Sequence, residues 1–380
     1  MAAWRSGCRS ITALTDPEKP MMRATRWMLP LLLAALAPMA MAATPTIAGE
    51  RHGVTTLNSA AIRDGAQREV LRFTVWYPAM PGSEETPLTI GPPDAPLFEV
   101  GRAAKDAPIA GGRLPTLLLS HGNGGTARMM GWLGTALARA GYLVIAVDHP
   151  GNNGADEMTL AGSVLTWLRA DDLKAALAAV QADPQLGPHV DASRLGVVGY
   201  SAGGFTALLS AGARPDMTRL LAFCQAHPDD GVCRPQQEAA AHTMAARLAA
   251  AASPQLQPYV QHAQDDRSIA GVRAVFVLAP AIVQAFAPEQ LKALRQPVMI
   301  VLGSADEVAP PATNGDVAAA LIPKATLHAL PGVGHYDFLS ACTPLADERL
   351  QALCMTAVPK VQTHAVAVED AVRFFGEALR

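Results

Sequence analysis

The sequence predicts an α/β protein with a mostly parallel central sheet, helices on both faces and an inserted helical cap. Three observations carry this expectation. The runs "LPTLLLSHG", "YLVIAVDHPG" and "RLGVVGYS" are continuously apolar and strand-sized, as strands covered on both faces are. Helix-like segments alternate with them, which implies parallel strands joined by right-handed crossovers. The chain of 380 residues is 50% hydrophobic and 17% charged, ample for one large core.

The first 42 residues stand outside this pattern. Arg23 and Arg26 precede an apolar run from Trp27 to Ala37, and Ala40-Met41-Ala42 has the small-x-small form of a secretory cleavage site. Residues 1–42 are therefore expected to be a signal peptide, with Met21 or Met22 as an alternative start. The run is short and broken by Pro30 and Pro38, which argues against a retained membrane anchor. The folded domain is expected over 43–380, in the periplasm or secreted. With the five basic and two acidic leader residues removed, the chain passes from a net charge of −3 to −6. A mildly acidic protein without a basic cluster is a poor match for nucleic acid or anionic lipid surfaces.

"REVLRFTVWYPA" (Arg68–Ala79) alternates like a half-exposed strand, and the Pro- and Gly-rich stretch from Pro81 to Gly112 reads as a long surface loop. From Leu114 the α/β rhythm begins: a buried strand, a helix over Thr126–Ala140, a second strand, a helical stretch over Thr159–Ala182, a third strand, and a helix over Gly203–Ala213. It resumes with Val272–Pro280, Gln296–Asp306, Ala325–Gly332 and a last helix near His364–Leu379. Residues 214–270 interrupt it. They are Ala-rich, too long for an ordinary connection, and read as a cap inserted over the C-terminal edge of the sheet. Trp132 and Trp167 sit at helical spacing among apolar residues and read as core.

Cys8 leaves with the leader. Cys224, Cys233, Cys342 and Cys354 form an even set in an exported chain, as disulfides require. Of three connectivities, local pairing (Cys224 with Cys233, Cys342 with Cys354) closes the shortest loops. His227 lies near Cys224, but the spacings match no zinc pattern, so no metal is expected.

The residues with chemistry cluster at the C-terminal ends of the expected strands, where open α/β sheets place ligands. In "GVVGYSAGGF", Gly199-x-Ser201-x-Gly203 lies between a strand and a helix. That context makes Ser201 a candidate nucleophile on a sharp turn whose glycines relieve crowding. A serine hydroxyl needs a base, and the base needs an orienting carboxylate. His335 in "PGVGHYDFL" and Asp306 in "LGSADEVAP" supply them after the last two strands. Glu307 is the alternative acid, Asp337 is too close to the histidine in sequence, and Asp306 could instead cap a short helix. "SHGNGG" (Ser120–Gly125) lets backbone approach a forming oxyanion, so the N–H groups of Asn123 and Ala202 are the expected donors. It lacks the G-K-[ST] and G-x-G-x-x-G patterns of phosphate loops. His121 reads as a local packing residue. Asp148 and His149, in "VDHPGNN", read as a solvated turn with a satisfied imidazole rather than pocket walls.

Taken in order, "SHGNGG", "VDHPGN", "GYSAGG", "GSADEVAPPATN" and "GVGHYDFL" resemble the α/β-hydrolases of the exported predicted dienelactone-hydrolase family, itself similar to platelet-activating-factor acetylhydrolases. The resemblance runs from about Phe73 to the C-terminus. It implies a Ser201 nucleophile, a His335 base, an Asp306 acid, an oxyanion hole from Asn123 and Ala202, and no cofactor. Dienelactone hydrolases use a cysteine nucleophile, whereas this chain has serine. The lipid-hydrolysing relatives carry an apolar residue where Asn123 stands. The expected reaction is two-step acyl transfer on a small-molecule or lipid-like carboxylic ester. The rival of another class is a binding module on a hydrolase fold.

Overall fold

The computed structural model describes residues 46–380; the leader lies outside them. Eleven strands form the sheet: β1 (Ile47–Thr56), β2 (Val70–Ala79), β3 (Thr86–Ile90), β4 (Phe98–Lys105), β5 (Leu114–Ser120), β6 (Leu143–Asp148), β7 (Val190–Tyr200), β8 (Val272–Leu278), β9 (Val298–Gly303), β10 (Ala325–Leu330) and β11 (Ala341–Cys342). Their spatial order is β10-β9-β8-β7-β5-β6-β2-β1-β4-β11, with β3 beside β4. From β10 to β6 all pairings are parallel. The remainder is antiparallel except for a short β1–β4 contact.

The apolar runs become the central strands because both faces are covered. On one face Leu118, Val197, Val277 and Ile300 meet Leu173, Leu177, Phe205 and Ala318 from the helices Arg169–Ala182, Ala202–Ser210 and Gly315–Leu321. On the other, Leu117, Leu119, Val198 and Phe276 meet Leu133, Leu137, Ala371 and Phe375 from Gly131–Arg139 and Lys360–Ala378. From β5 the chain crosses to β6 on one side, then returns to β7 on the other and continues to β8. The ends of β5 and β7 are thus the topological switch point, where a crevice opens above the sheet.

Residues 81–112 are not a loop. β3 and β4 form an antiparallel pair there, closed by the Leu97 N–H donating to the Ile90 carbonyl at 2.7 Å. Phe98 and Val100 are buried while Glu99 is exposed, a period of two hidden among Pro and Gly. Pro87 is accommodated because β3 is an edge strand. The stretch 159–182 is broken at Leu165 into Leu160–Val164, a single tight turn over Thr166–Leu168, and Arg169–Ala182.

Residues 214–270 carry three helices, Met217–Ala226, Met244–Ala251 and Gln257–Val260. Two start on side-chain caps: Asp216 accepts from the Thr218 N–H and Thr243 from the Ala246 N–H. Cys224 pairs with Cys233, with Cα atoms 5.3 Å apart, and Cys342 with Cys354 at 5.8 Å. Among the described residues, no helix is long and apolar enough to cross a membrane.

Candidate active site

β7 ends in Tyr200 and the helix begins at Ala202, so Ser201 alone makes the turn. Its φ of 55° and ψ of −119° lie in a region that costs a non-glycine residue strain. The surroundings hold it there. The Ser201 N–H donates to the Leu278 carbonyl at 2.9 Å, while its own carbonyl accepts from Gly204 at 2.8 Å and Ala281 at 3.1 Å. The turn also brings backbones together. A Cβ on Gly199 would sit 2.0 Å from the Gly203 carbonyl oxygen, and one on Gly203 would sit 2.0 Å from that of Ser120. Only glycine fits either place.

The Ser201 hydroxyl donates to His335 Nε2 at 2.9 Å, and His335 Nδ1 donates to Asp306 Oδ2 at 2.7 Å. All three residues are buried to within 6% of full burial. Asp306 also accepts from the N–H groups of Val308 (2.9 Å) and Ala309 (2.7 Å) through Oδ1. It therefore caps its loop and orients the imidazole at once. Glu307 points to solvent. Asp337 accepts from the Gly334 N–H at 2.7 Å, closing the loop that carries His335, and burial raises its carboxyl above the usual range. The buried Tyr200 hydroxyl, which the sequence reading missed, donates to the His335 carbonyl at 3.0 Å.

Asn123 and Ala202 line the same cavity as Ser201, and neither backbone N–H has a protein acceptor among the described residues. The Asn123 side chain is anchored from both sides. Its oxygen accepts from Asn152 at 2.8 Å, and its nitrogen donates to Glu238 at 3.1 Å. The other carboxylate oxygen of Glu238 receives the Tyr336 hydroxyl at 3.4 Å. Glu238, from the inserted segment, thus joins the loop after β5 to the loop bearing His335. Nothing in its local sequence marks it for this place.

His121 is buried, donates from Nδ1 to the Gly122 carbonyl at 2.6 Å and accepts the His149 N–H at 3.3 Å, as a packing residue would. Burial holds it well below the usual imidazole range. His149 corrects the sequence expectation: it is fully buried, not on a solvated turn. It donates from Nδ1 to Asp172 at 2.8 Å and accepts the Ser120 hydroxyl at 2.9 Å, with burial lowering its pKa to about 3. Asp148 accepts the Ala127 N–H at 2.8 Å and does not line the cavity beside Ser201. Trp132 is core, its ring stacked on His364 at 3.8 Å. Trp167 is more deeply buried still, yet it lines that cavity and so is more than core.

The cavity has a volume of about 160 Å³. Met217, Leu220, Leu221, Met244 and Leu248 of the inserted segment give it an apolar wall, with Ile282 and Val308 on the sheet side.

A family model described as serine aminopeptidase, S33, matches residues 114–338. Over 103 residues the chain is 36% identical to cutinase est1 and to cutinase est2 of Thermobifida alba, a match spanning 27% of this chain and 31% of each relative. It therefore covers less than a third of the length of these curated relatives. The structure of a ferulic acid esterase from Streptomyces cinnamoneus superposes with a TM-score of 0.58 at 21% identity, over 90% of this chain and 92% of that one. At that identity the likeness is one of fold.

Proposed function

The chain belongs to the serine aminopeptidase S33 family of α/β-hydrolases, and from that premise we propose that it is an exported serine hydrolase cleaving carboxylic esters. The observation that carries the proposal is the hydrogen-bonded chain Ser201–His335–Asp306 opening on a cavity beside two unengaged N–H groups. In the proposed reaction His335 Nε2 takes the Ser201 proton as Oγ attacks the ester carbonyl. The N–H groups of Asn123 and Ala202 hold the oxyanion. His335 then protonates the departing alcohol, and water repeats the sequence to release the acid. Asp306 keeps the imidazole proton on Nδ1 and stabilises the imidazolium. Residues 214–270 serve as a cap over the site.

An aminopeptidase needs a free carboxylate for the substrate's ammonium. Glu238 is the carboxylate lining the cavity, and both its oxygens are engaged by Asn123 and Tyr336. The ester reading is preferred on the cavity's apolar wall and the partial likeness to cutinases. The apolar wall given by the cap favours a second form of it, a lipid- or polyester-directed hydrolase, a reading that the partial likeness to cutinases supports. Export rests on the leader-like residues 1–42 and is supported by the two disulfides.

Hydrolysis of p-nitrophenyl esters from acetyl to palmitoyl, by the wild type and Ser201→Ala, tests the reading. Turnover lost in the variant is expected, and the chain-length optimum separates small-ester from lipid substrates. Folded protein inert at every length, or a Ser201→Ala variant as active as wild type, would refute it.

A further inference from the structure

The cavity wall is apolar, but three of its side-chain polar atoms are buried without a hydrogen-bond partner: Arg247 Nε, Trp167 Nε1 and Thr166 Oγ1. Two of these groups can only donate, and the hydroxyl can donate as well. Arg247 stands on the cap helix Met244–Ala251, which packs on Leu160–Val164 just before Thr166 and Trp167. Among the described residues it forms no ion pair, and its side-chain nitrogens donate to no protein acceptor. Glu238, the acidic group that acts on it electrostatically, stands beyond ion-pair distance and binds Asn123 and Tyr336. Burial lowers the guanidinium's affinity for its proton, but an arginine stays charged at neutral pH. A half-buried cation without a counter-ion in an apolar wall is costly, and its unmet buried Nε–H adds to the cost. The cost is recovered if a ligand brings the missing acceptors. A guanidinium fork is best matched by a carboxylate, which it can bind through two parallel hydrogen bonds.

We propose that the cavity beside Ser201 selects esters with an apolar body and a free carboxylate remote from the scissile bond, with Arg247 as its counter-ion. The inference rests on the serine-hydrolase reading of that site. It commits the enzyme to half-esters of dicarboxylic acids or to esters of hydroxy acids, as opposed to neutral lipids or cationic peptides. A site whose donors are left unpaired discriminates strongly against an isostere that lacks the acceptor.

The test uses two matched pairs. Mono-p-nitrophenyl adipate against p-nitrophenyl hexanoate places the carboxylate on the acyl side. 4-(Butyryloxy)benzoate against 4-methylphenyl butyrate places it on the alcohol side. Wild type is expected to favour the anionic member of one pair in kcat/KM by about tenfold or more. In Arg247→Met that anionic-to-neutral ratio falls by a similar factor, and Arg247→Lys restores part of it. Fluorophosphonate labelling of Ser201 reports folding of each variant. A measurement on wild type alone stands beside these: hexanoate should inhibit turnover of the neutral ester at least tenfold better than hexanamide. Ratios unchanged by Arg247→Met in both pairs, or equal inhibition by acid and amide, would overturn the inference while leaving the serine hydrolase intact. Inertness of wild type toward all four esters would instead remove the reading on which it rests.

Discussion

Replacing Asp306 with asparagine changes one oxygen for an NH2 group of nearly equal size, and the structure dictates which way the amide must lie. Oδ1 accepts two backbone N–H groups, from Val308 and Ala309, at 2.9 and 2.7 Å. An NH2 group turned toward them would set donors against donors, so the amide oxygen keeps that side and the NH2 faces His335 Nδ1. The imidazole must then present a bare nitrogen there and carry its proton on Nε2, aimed at Ser201 Oγ. In that tautomer it cannot accept the serine proton. Such a reversal costs about four orders of magnitude in kcat, or about 5 kcal/mol of barrier at about 1.36 kcal/mol per decade. Because both loop N–H groups keep their acceptor, the variant should melt close to wild type, whereas Asp306→Ala should lose stability as well as rate. Steady-state hydrolysis of a p-nitrophenyl ester, with thermal unfolding as the fold control, measures both. An Asp306→Asn variant that retains more than about a tenth of wild-type kcat would refute the tautomer argument, and with it the assignment of Asp306.

Two further outcomes are expected. Gly203→Ala places a methyl 2.0 Å from the Ser120 carbonyl oxygen, a backbone atom that cannot swing aside. It should lower the melting temperature and slow fluorophosphonate labelling of Ser201, and wild-type values of both would show that the turn has slack. Stability should also fall as pH drops from about 6.5 toward 4. His149 is held at about 3 and His364 at about 4, both chiefly by burial, against 6.5 for a free imidazole. Around His149 stand Asp172, Arg63, Arg169 and His121; around His364 stand Lys360 and the carbonyls of Leu339 and Asp337. Below pH 6.5 the unfolded chain takes up protons that the folded chain refuses, so stability present above that pH is lost on acidification. Carboxylates held down to about 2, such as Asp172 and Asp191, add their losses only below about pH 4. Melting temperatures at pH 7 and 5 check the sign, with His364→Gln expected to flatten the slope; a flat profile in wild type would contradict it.

The central strands were legible because burial on both faces leaves an unbroken apolar run, and a serine between glycines has few other reasons to follow such a run. Strand β1 was not. In "IAGERHGVTT" the core-facing places next to Tyr77 and Phe73 are Gly49 and Gly53. Their missing side chains leave room for the rings, within 2.2 and 2.3 Å of where a Cβ would be. The strand's apolar half is therefore supplied by its neighbour and is invisible in its own sequence. The helix Arg169–Ala182 hid its charges differently. Leu173, Ala176, Leu177 and Val180 mark its buried stripe, and the same spacing carried backward passes through Arg169 and Asp172. That period was the available signal that two charges lie inside. Glu238 and Arg247 could not be read at all, because only the fold brings residues so far along the chain to the cavity that Ser201 lines.

Those buried charges build a second Ser–His–Asp array whose bond lengths match the first. Ser120 lies 2.9 Å from His149, and His149 lies 2.8 Å from Asp172. Spacing and distance therefore do not distinguish a nucleophile from a strut. Access and proton affinity do. Ser120 and His149 have no exposed surface and do not line the cavity that Ser201 faces beside two N–H groups without a protein acceptor. Burial and the neighbouring Arg169 cation hold His149 at about 3, so it cannot take a proton near neutral pH. Asp172 is bound through both oxygens by Arg63, at 2.7 and 2.8 Å, which leaves its charge compensated before any imidazolium forms. What this array transmits is position. Arg169 donates to Ser120 Oγ, to the His121 carbonyl and to Asn152, and Asn152 donates to Asn123. In the proposed mechanism the same three residue types thus serve the site twice: at the end of β7 as a proton path, and behind the end of β5 as the rigid backing of the loop that supplies the Asn123 N–H.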